Sequence, residues 1–473
     1  MTKQVDVAIL GGGTGGYIAA IAAAQAGYSV VVIERDRLGG TCLHRGCIPS
    51  KSLLRSAEVL VQAKQSEAFG IHIEGIRVDF EAVQSRKQAI VDQLHRGVQY
   101  LMKKNNIEVI HGNGRVMGPS IFSPKSGSVA VELGDDEAIT VVPKQLIIAT
   151  GSRPRVIQGL EPDGDQIATS DEALEWTSLP KSAAIIGGGV IGVEWASLLH
   201  DFGVEVDLIE AGPRILPLED ADISREMEKL LKKKGIRIHT NANVEPEAVT
   251  KDEAGVHMIV GKQGEPVNIQ AERVLVSIGR AANVDQLGLE NTNVRVDKGV
   301  IQVNEFMQTH EPHIYAIGDC IGGLQLAHAA SAEGLAAVKH INGEHGVQVV
   351  DTMIPKCIYS KPEAASIGYT EEEARKEGYE LTVSKIPFSA IGKALVQGET
   401  DGFVKVIVDQ KQNDVLGVHI IGPHATELIG EASLAKLLNA SPWELGQMVH
   451  AHPTLSEIMS EVMLAVEGKA LVL

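Results

Sequence analysis

Two cysteines, Cys42 and Cys47, stand five positions apart in GGTCLHRGCIPSK, Gly39 to Lys51, in a chain that has four cysteines in all. Such a pair could be a metal clamp, a structural staple or a redox couple. Zinc wants four ligands, commonly two close pairs of Cys or His, and no second close pair stands nearby: His44 lies inside the loop and His72 is remote. The N-terminus, MTKQVDVAILGGG, enters a strand pattern without the charged stretch, apolar core and cleavage site of a secretory leader. The chain therefore reads as cytoplasmic, where thiols are kept reduced and a staple is disfavoured. Pro49 and Ser50 mark the start of a helical run, KSLLRSAEVLVQAKQ, which puts Cys47 near a helix N-terminus whose dipole stabilises a thiolate. The redox couple is the favoured reading. Cys320 and Cys357 stand alone and read as buried, inert thiols.

A redox couple needs an electron partner, and two nucleotide fingerprints supply candidates. Gly11, Gly13 and Gly16 follow the apolar run VDVAIL and open an Ala-rich helical stretch; YSVVVIE then ends on Glu34. In this strand–turn–helix–strand context the glycines allow a tight turn and close approach of backbone to a pyrophosphate, and the terminal acid can accept hydrogen bonds from a ribose. Gly187, Gly189 and Gly192 repeat the plan after SAAII, with Glu210 closing VEVDLIE. A carboxylate there binds a free ribose 2′-hydroxyl and repels a 2′-phosphate, favouring NAD over NADP. Arg214, four residues on, is a counter-signal that reads more simply as a loop arginine. Two dinucleotide sites in one chain suggest two cofactors that exchange electrons.

The elements that must position these groups alternate strand and helix. With 473 residues, 44% hydrophobic, and 49 glycines, the chain suits several α/β domains with tight turns. A long amphipathic helix is expected at about 79–105, a hairpin from SVAVEL and AITVV around the polar turn GDDE, and buried strands at QLIIATG, ERVLVSIGR and HIYAIGD. From about 350 the pattern changes to strands FVKVIVD and VLGVHIIG with helices near 425–438 and 455–467. The expected fold is α/β, with two Rossmann-like dinucleotide-binding domains and a distinct C-terminal α+β domain. The parts are 1–150 with 281–349 for the first nucleotide and the centre, 151–280 for the second, and 350–473 for the C-terminal domain. A net charge of −18 disfavours nucleic acid and anionic membrane as partners and suits one with a basic face. No apolar run is long enough for a membrane span, and no metal site is expected.

GGTCLHRGCIPSK resembles the redox-disulfide motif of the pyridine nucleotide-disulfide oxidoreductases. The resemblance extends over essentially the whole chain, through both fingerprints, Ala149-Thr150-Gly151, Ser277-Ile278-Gly279-Arg280, YAIGD ending at Asp319, and HAHPTLSE from His450 to Glu457. It implies FAD in the first site, with Glu34 on the adenosine ribose, Asp319 on the ribityl chain, and Thr41, Thr150 and Gly151 among the contacts. It implies NAD+/NADH in the second, with Gly279 and Glu210. Cys42 would be the outer thiol that meets a dithiol substrate and Cys47 the inner thiol facing the flavin; Lys51 and Glu194 would form an ion pair beside it. His452 would be the base, oriented by Glu457 and reaching the disulfide of a second subunit, which makes the chain a homodimer. Within the family the closest likeness is to the enzymes that oxidise protein-bound dihydrolipoamide with NAD+. Their partners are lipoyl domains and the peripheral binding domain of a 2-oxo acid dehydrogenase acyltransferase.

The disulfide loop departs from the family's commonest form: His44 and Arg45 stand where asparagine and valine are usual, which changes the polarity beside the cysteines. Two rivals remain at this level. An NADPH-dependent reductase of the glutathione reductase type is opposed by Glu210 and by Ile48-Pro49-Ser50-Lys51. A flavin-bound docking subunit without turnover would not need Cys42.

Overall fold

The computed structural model describes residues 2–119, 125–134, 137–262, 265–344 and 348–472. The chain divides into two compact units, one built from 1–52, 82–155 and 280–349, the other from 53–81, 156–279 and 350–473.

The first unit is organised by a seven-stranded sheet. Strands β1 (Thr2–Leu10), β2 (Val30–Glu34), β3 (Glu108–His111), β4 (Asn113–Met117), β5 (Ser128–Gly134) and β6 (Glu137–Ile148) lie in the order β3-β2-β1-β6-β5-β4, and Ile314–Ala316 also pairs with β6. The β3-β2-β1-β6 part is parallel, and every residue of VVVIE in β2 is buried, as a strand covered on both faces requires. Helix α1 (Thr14–Gln25) follows the first glycine turn, buries Ala19, Ala20 and Ala23, and returns the chain to β2. Two helices then carry the cysteines, α2 (Gly40–Arg45) and α3 (Cys47–Lys64). The expected long amphipathic helix is α4 (Phe80–Lys104), with Val91, Val98 and Met102 on its buried stripe.

Two expectations change in detail. AITVV and QLII form one continuous strand, β6, through Pro143. Pro143 keeps register with Val5 of β1, while on the other edge of β6 it lies between the last β5 pairing, at Val141, and the pairing of Leu146 with Ile314. The turn expected at GDDE includes positions 135 and 136, outside the described residues.

The second unit holds a five-stranded parallel sheet in the order 237–239, 205–209, 182–186, 273–276, 167–169, the second nucleotide-fold plan. It also holds an antiparallel sheet of five strands in the order 356–358, 363–368, 415–422, 403–409, 381–387. Helices Ala425–Leu437 and Glu457–Val466 pack on that sheet through Ile429, Ile458, Val462 and Met463. The architecture is thus α/β, two dinucleotide-binding folds with a C-terminal α+β domain.

Two of the three inner strands of that antiparallel sheet, 403–409 and 415–422, are buried throughout, yet they carry Lys405 and His419. Lys405 Nζ donates to Asp220 at 2.8 Å, Asp222 at 2.9 Å and Glu371 at 2.8 Å. Burial works against its charge, but these carboxylates outweigh it and hold the lysine above its ordinary range. Replacing Lys405 by Met leaves Asp220, itself 1% exposed, charged and uncompensated. The expected cost is about 3–5 kcal/mol, read in urea unfolding as a lower midpoint at unchanged slope, and partly recovered by adding Asp220→Asn.

Candidate active site

The redox loop lies directly on the first nucleotide turn. Gly39 donates to the Gly12 carbonyl at 2.8 Å, and a Cβ added at Gly40, at φ 62°, would sit 2.6 Å from the Gly13 Cα. A side chain there would push the loop off the turn. From this seat α2 lifts Cys42, Gly46 breaks the helix, and α3 restarts at Cys47. The helix begins two residues before the Pro49 signal, so Cys47 itself occupies the first turn. Proline fits there because its missing N–H would have no intrahelical acceptor.

Cys42 and Cys47 are thiols hydrogen-bonded to each other, and Thr14 adds a hydrogen bond to Cys42. The pK of Cys42 is pushed up, first by its hydrogen bond with Cys47, then by burial and by charge on Cys47, while Thr14 and Lys51 act the other way. Two thiols in contact cannot both ionise readily, so one proton stays with the pair. Cys320 is fully buried, and burial pushes its thiol up to about 11, as expected of an inert thiol. Cys357 corrects the expectation of burial: it is only partly covered, on the edge strand Lys356–Ile358.

The two glycine turns repeat one construction, and their residues fit dinucleotides. A Cβ on Gly16 would lie 2.0 Å from the Gly11 carbonyl oxygen, and one on Gly192 would lie 1.9 Å from that of Gly187, so the third glycine serves the close packing of helix on turn. The middle glycine differs. A Cβ on Gly13 would meet only the Gly40 Cα, at 3.8 Å, and one on Gly189 nothing within 4 Å among the described residues. Packing within the chain does not demand glycine there; an approaching pyrophosphate does. Each acid is fixed by backbone donors. Glu34 accepts from Gly12 N at 2.7 Å and Asp36 N at 2.8 Å; Glu210 accepts from Gly188 N at 2.7 Å and Gly212 N at 2.6 Å. A carboxylate offers about four lone-pair sites, so both acids keep capacity for ribose hydroxyls. Arg214 donates to the carbonyls of Pro217 at 3.1 Å and Glu219 at 3.4 Å, which ties it to its own loop.

Asp319 lies in the short 3₁₀ turn Gly318–Ile321 after strand Ile314–Ala316 and accepts from Ser152 Oγ, which in turn accepts from Arg280 Nε at 2.7 Å. Thr150 donates to Asn283 O at 2.7 Å, and Gly151 and Gly279 hold positive φ. Thr41 lies on α2 and Lys51 on α3, both in the first unit. Glu194, in the second, is buried and accepts from Tyr359 N at 2.9 Å.

Near the C-terminus His452 Nδ1 donates to Glu457 Oε1 at 2.9 Å. Glu457 also accepts from Thr454 N at 2.8 Å and begins the helix Glu457–Val466, where the dipole favours its charge. Its carboxyl lies below the ordinary range, through Thr454 first and His452 second. The His452 side chain is 79% exposed, leaving Nε2 as an outward acceptor. A second pair stands behind it: His450, 4% exposed, reaches Glu431 at 3.0 Å.

Sequence reasoning did not find Thr14, Ser152 or Arg280 as neighbours of the chemistry. Arg280 closes the run Ser277-Ile278-Gly279-Arg280, but nothing linear joins it to Asp319; Thr14 follows the second fingerprint glycine and meets Cys42 only in three dimensions.

Residues 5–334 match the pyridine nucleotide-disulphide oxidoreductase family and residues 354–463 match that family's dimerisation domain, so the chain belongs to this family and its C-terminal domain supports a homodimer. A dihydrolipoyl dehydrogenase of Bacillus subtilis is 57% identical over the full length of both chains, and one of Zymomonas mobilis is 41% identical over the full length of both. Among solved structures, LpdA from Mycobacterium tuberculosis superposes with a TM-score of 0.90 at 25% identity, covering 98% of this chain and 99% of that one. The HOCl-induced flavoprotein disulfide reductase RclA from Escherichia coli superposes at 0.83 with 27% identity, covering 97% and 99%. No described helix is long and apolar enough to cross a membrane.

Proposed function

We propose that the chain is an NAD+-dependent dihydrolipoamide dehydrogenase, which reoxidises protein-bound dihydrolipoamide through a Cys42–Cys47 disulfide. The observation that carries the reading is the seat of the two hydrogen-bonded cysteines on the first glycine turn. The family and the names of the relatives support the substrate.

Glu34 and the turn Gly11–Gly16 would hold FAD, with Asp319, Thr150, Gly151 and Thr41 along it; Glu210, Gly279 and the turn Gly187–Gly192 would hold NAD+. Bound FAD supplies a two-electron relay between the dithiol and the nicotinamide. The chain's own residues do the rest. His452 of the partner subunit takes the proton of one substrate thiol. The thiolate attacks Cys42 Sγ of the disulfide; a substrate–Cys42 bond forms, the Cys42–Cys47 bond breaks, and Cys47 leaves as thiolate. The second substrate thiol attacks the mixed disulfide, closes the lipoyl ring and releases Cys42. Substrate loses two electrons and the cysteine pair gains them. Thiolate at Cys47 is favoured by the first turn of α3, and the proton retained by the pair belongs on Cys42, whose pK is raised. Lys51 and Glu194 would serve the flavin side.

In this reading 1–150 with 281–349 form the FAD-binding and central region, 151–280 the NAD-binding domain and 350–473 the interface domain. The protein works in the cytoplasm with the lipoyl domains and the peripheral binding domain of a 2-oxo acid dehydrogenase acyltransferase, whose basic face its acidic charge suits. The purified protein is expected to turn over dihydrolipoamide with NAD+ and to leave glutathione disulfide with NADPH essentially unused; the reverse preference rejects the assignment. Glu210→Ala removes the carboxylate that repels a 2′-phosphate, and the NAD+ preference in kcat/KM is expected to narrow by at least about tenfold.

A further inference from the structure

His44, which replaces the family's usual residue inside the disulfide loop, is not an idle surface group. Its Nε2 lies 2.8 Å from the carbonyl oxygen of Leu38, and the same oxygen is 2.9 Å from His95 Nδ1 on α4. A carbonyl only accepts, so both imidazoles donate to it, which sets His44 as the Nε2–H tautomer and His95 as the Nδ1–H tautomer. The rings meet edge to face at 5.1 Å. His44 Nδ1 is buried with no partner among the described residues. Burial first, then Arg37 and His95, lower the imidazole's proton affinity against the Leu38 carbonyl and Asp36, so His44 stays a neutral donor.

The anchor point matters. Leu38 is 3% exposed and packs in the same core as Leu43, and the next residue, Gly39, is bonded to the fingerprint turn at Gly12. Around it Arg37 pairs with Asp92 of α4 at 3.2 Å and Arg45 pairs with Asp36. One carbonyl therefore joins three pieces: the segment laid on the first nucleotide turn, the helix that carries Cys42, and α4.

We propose that His44 is a positioning residue of the redox loop, holding α2 and Cys42 in register with Cys47 through the Leu38 carbonyl that it shares with His95. The inference rests on Cys42 and Cys47 being the redox pair. Its signature is selectivity for the dithiol half of the reaction, because electrons passing from NADH through the flavin to an outside acceptor do not use the loop.

The test uses the flavin-loaded dimer with His44→Leu, which removes the donor, and His44→Gln, which keeps one at similar reach. Disulfide reduction by dihydrolipoamide is expected to slow at least about tenfold in His44→Leu, since small misplacements of reacting atoms are costly. Reduction of ferricyanide by NADH is expected to stay within about twofold of the parent, and His44→Gln is expected to restore most of the dithiol rate. Should His44→Leu fail to fold, His95→Leu removes the other donor from outside the loop and carries the same expectation. The proposal is overturned by an unchanged dithiol rate in His44→Leu, by equal losses in the Leu and Gln variants, or by both half-reactions falling together. Cys42→Ser keeps the two claims apart: if it preserves dihydrolipoamide turnover the redox-pair reading fails, whereas the anchor alone fails if Cys42→Ser is inactive and His44→Leu is not.

Discussion

Cys42→Ser is expected to lower NAD+-linked oxidation of dihydrolipoamide by more than about a thousandfold, the scale on which loss of a covalent nucleophile usually reads. The serine hydroxyl is close in size and keeps the contacts with Cys47 and Thr14, so the fold and flavin content should be unchanged. What disappears is the sulfur that substrate attacks. NADH should still reduce ferricyanide, since that route uses the flavin and the second nucleotide site alone. A docking subunit without turnover predicts no effect, so one steady-state assay with the two acceptors separates the readings.

His452→Gln is expected to cost about a hundred- to ten-thousandfold in kcat, the range of a lost general base. The variant removes the outward Nε2 that takes the thiol proton while sparing Glu457, which remains held by Thr454 and the start of its helix. Glu457→Gln should cost less, about ten- to a hundredfold, because only the charge-assisted hydrogen bond that supports the imidazolium is lost. Raising the pH should recover part of the His452→Gln loss, since more substrate thiol is then ionised without help; a loss independent of pH would point to misfolding rather than to a missing base.

The geometry of the candidate site was legible in the sequence wherever it is local. Cys42 lies on the short helix α2 and Cys47 opens α3, and each fingerprint with its terminal acid is one strand–turn–helix–strand unit, so spacing alone placed the glycines, Glu34 and Glu210. His452 and Glu457 are likewise five positions apart across a helix start. Groups that meet across the fold left no such trace. Thr14 reaches Cys42, and Ser152 joins Asp319 to Arg280, from separate elements with no shared periodicity. FVKVIVD reads as an ordinary strand, yet its lysine is 2% exposed and held by carboxylates from two other segments. Nor could AITVV and QLII be joined in advance, because Pro143 ordinarily signals a break, and only the pairing with β1 on both sides of it shows the strand continuing.

If electrons leave the substrate through Cys42 and Cys47, counting thiols will show it. The oxidised holoenzyme is mixed with one equivalent of dihydrolipoamide without NAD+, alkylated, and mapped by mass spectrometry beside an untreated sample. Cys42 and Cys47 are expected to gain label only after dihydrolipoamide, while Cys320, fully buried with its thiol near 11, stays unlabelled in both. Labelling of Cys42 and Cys47 that is the same with and without dihydrolipoamide would contradict that route.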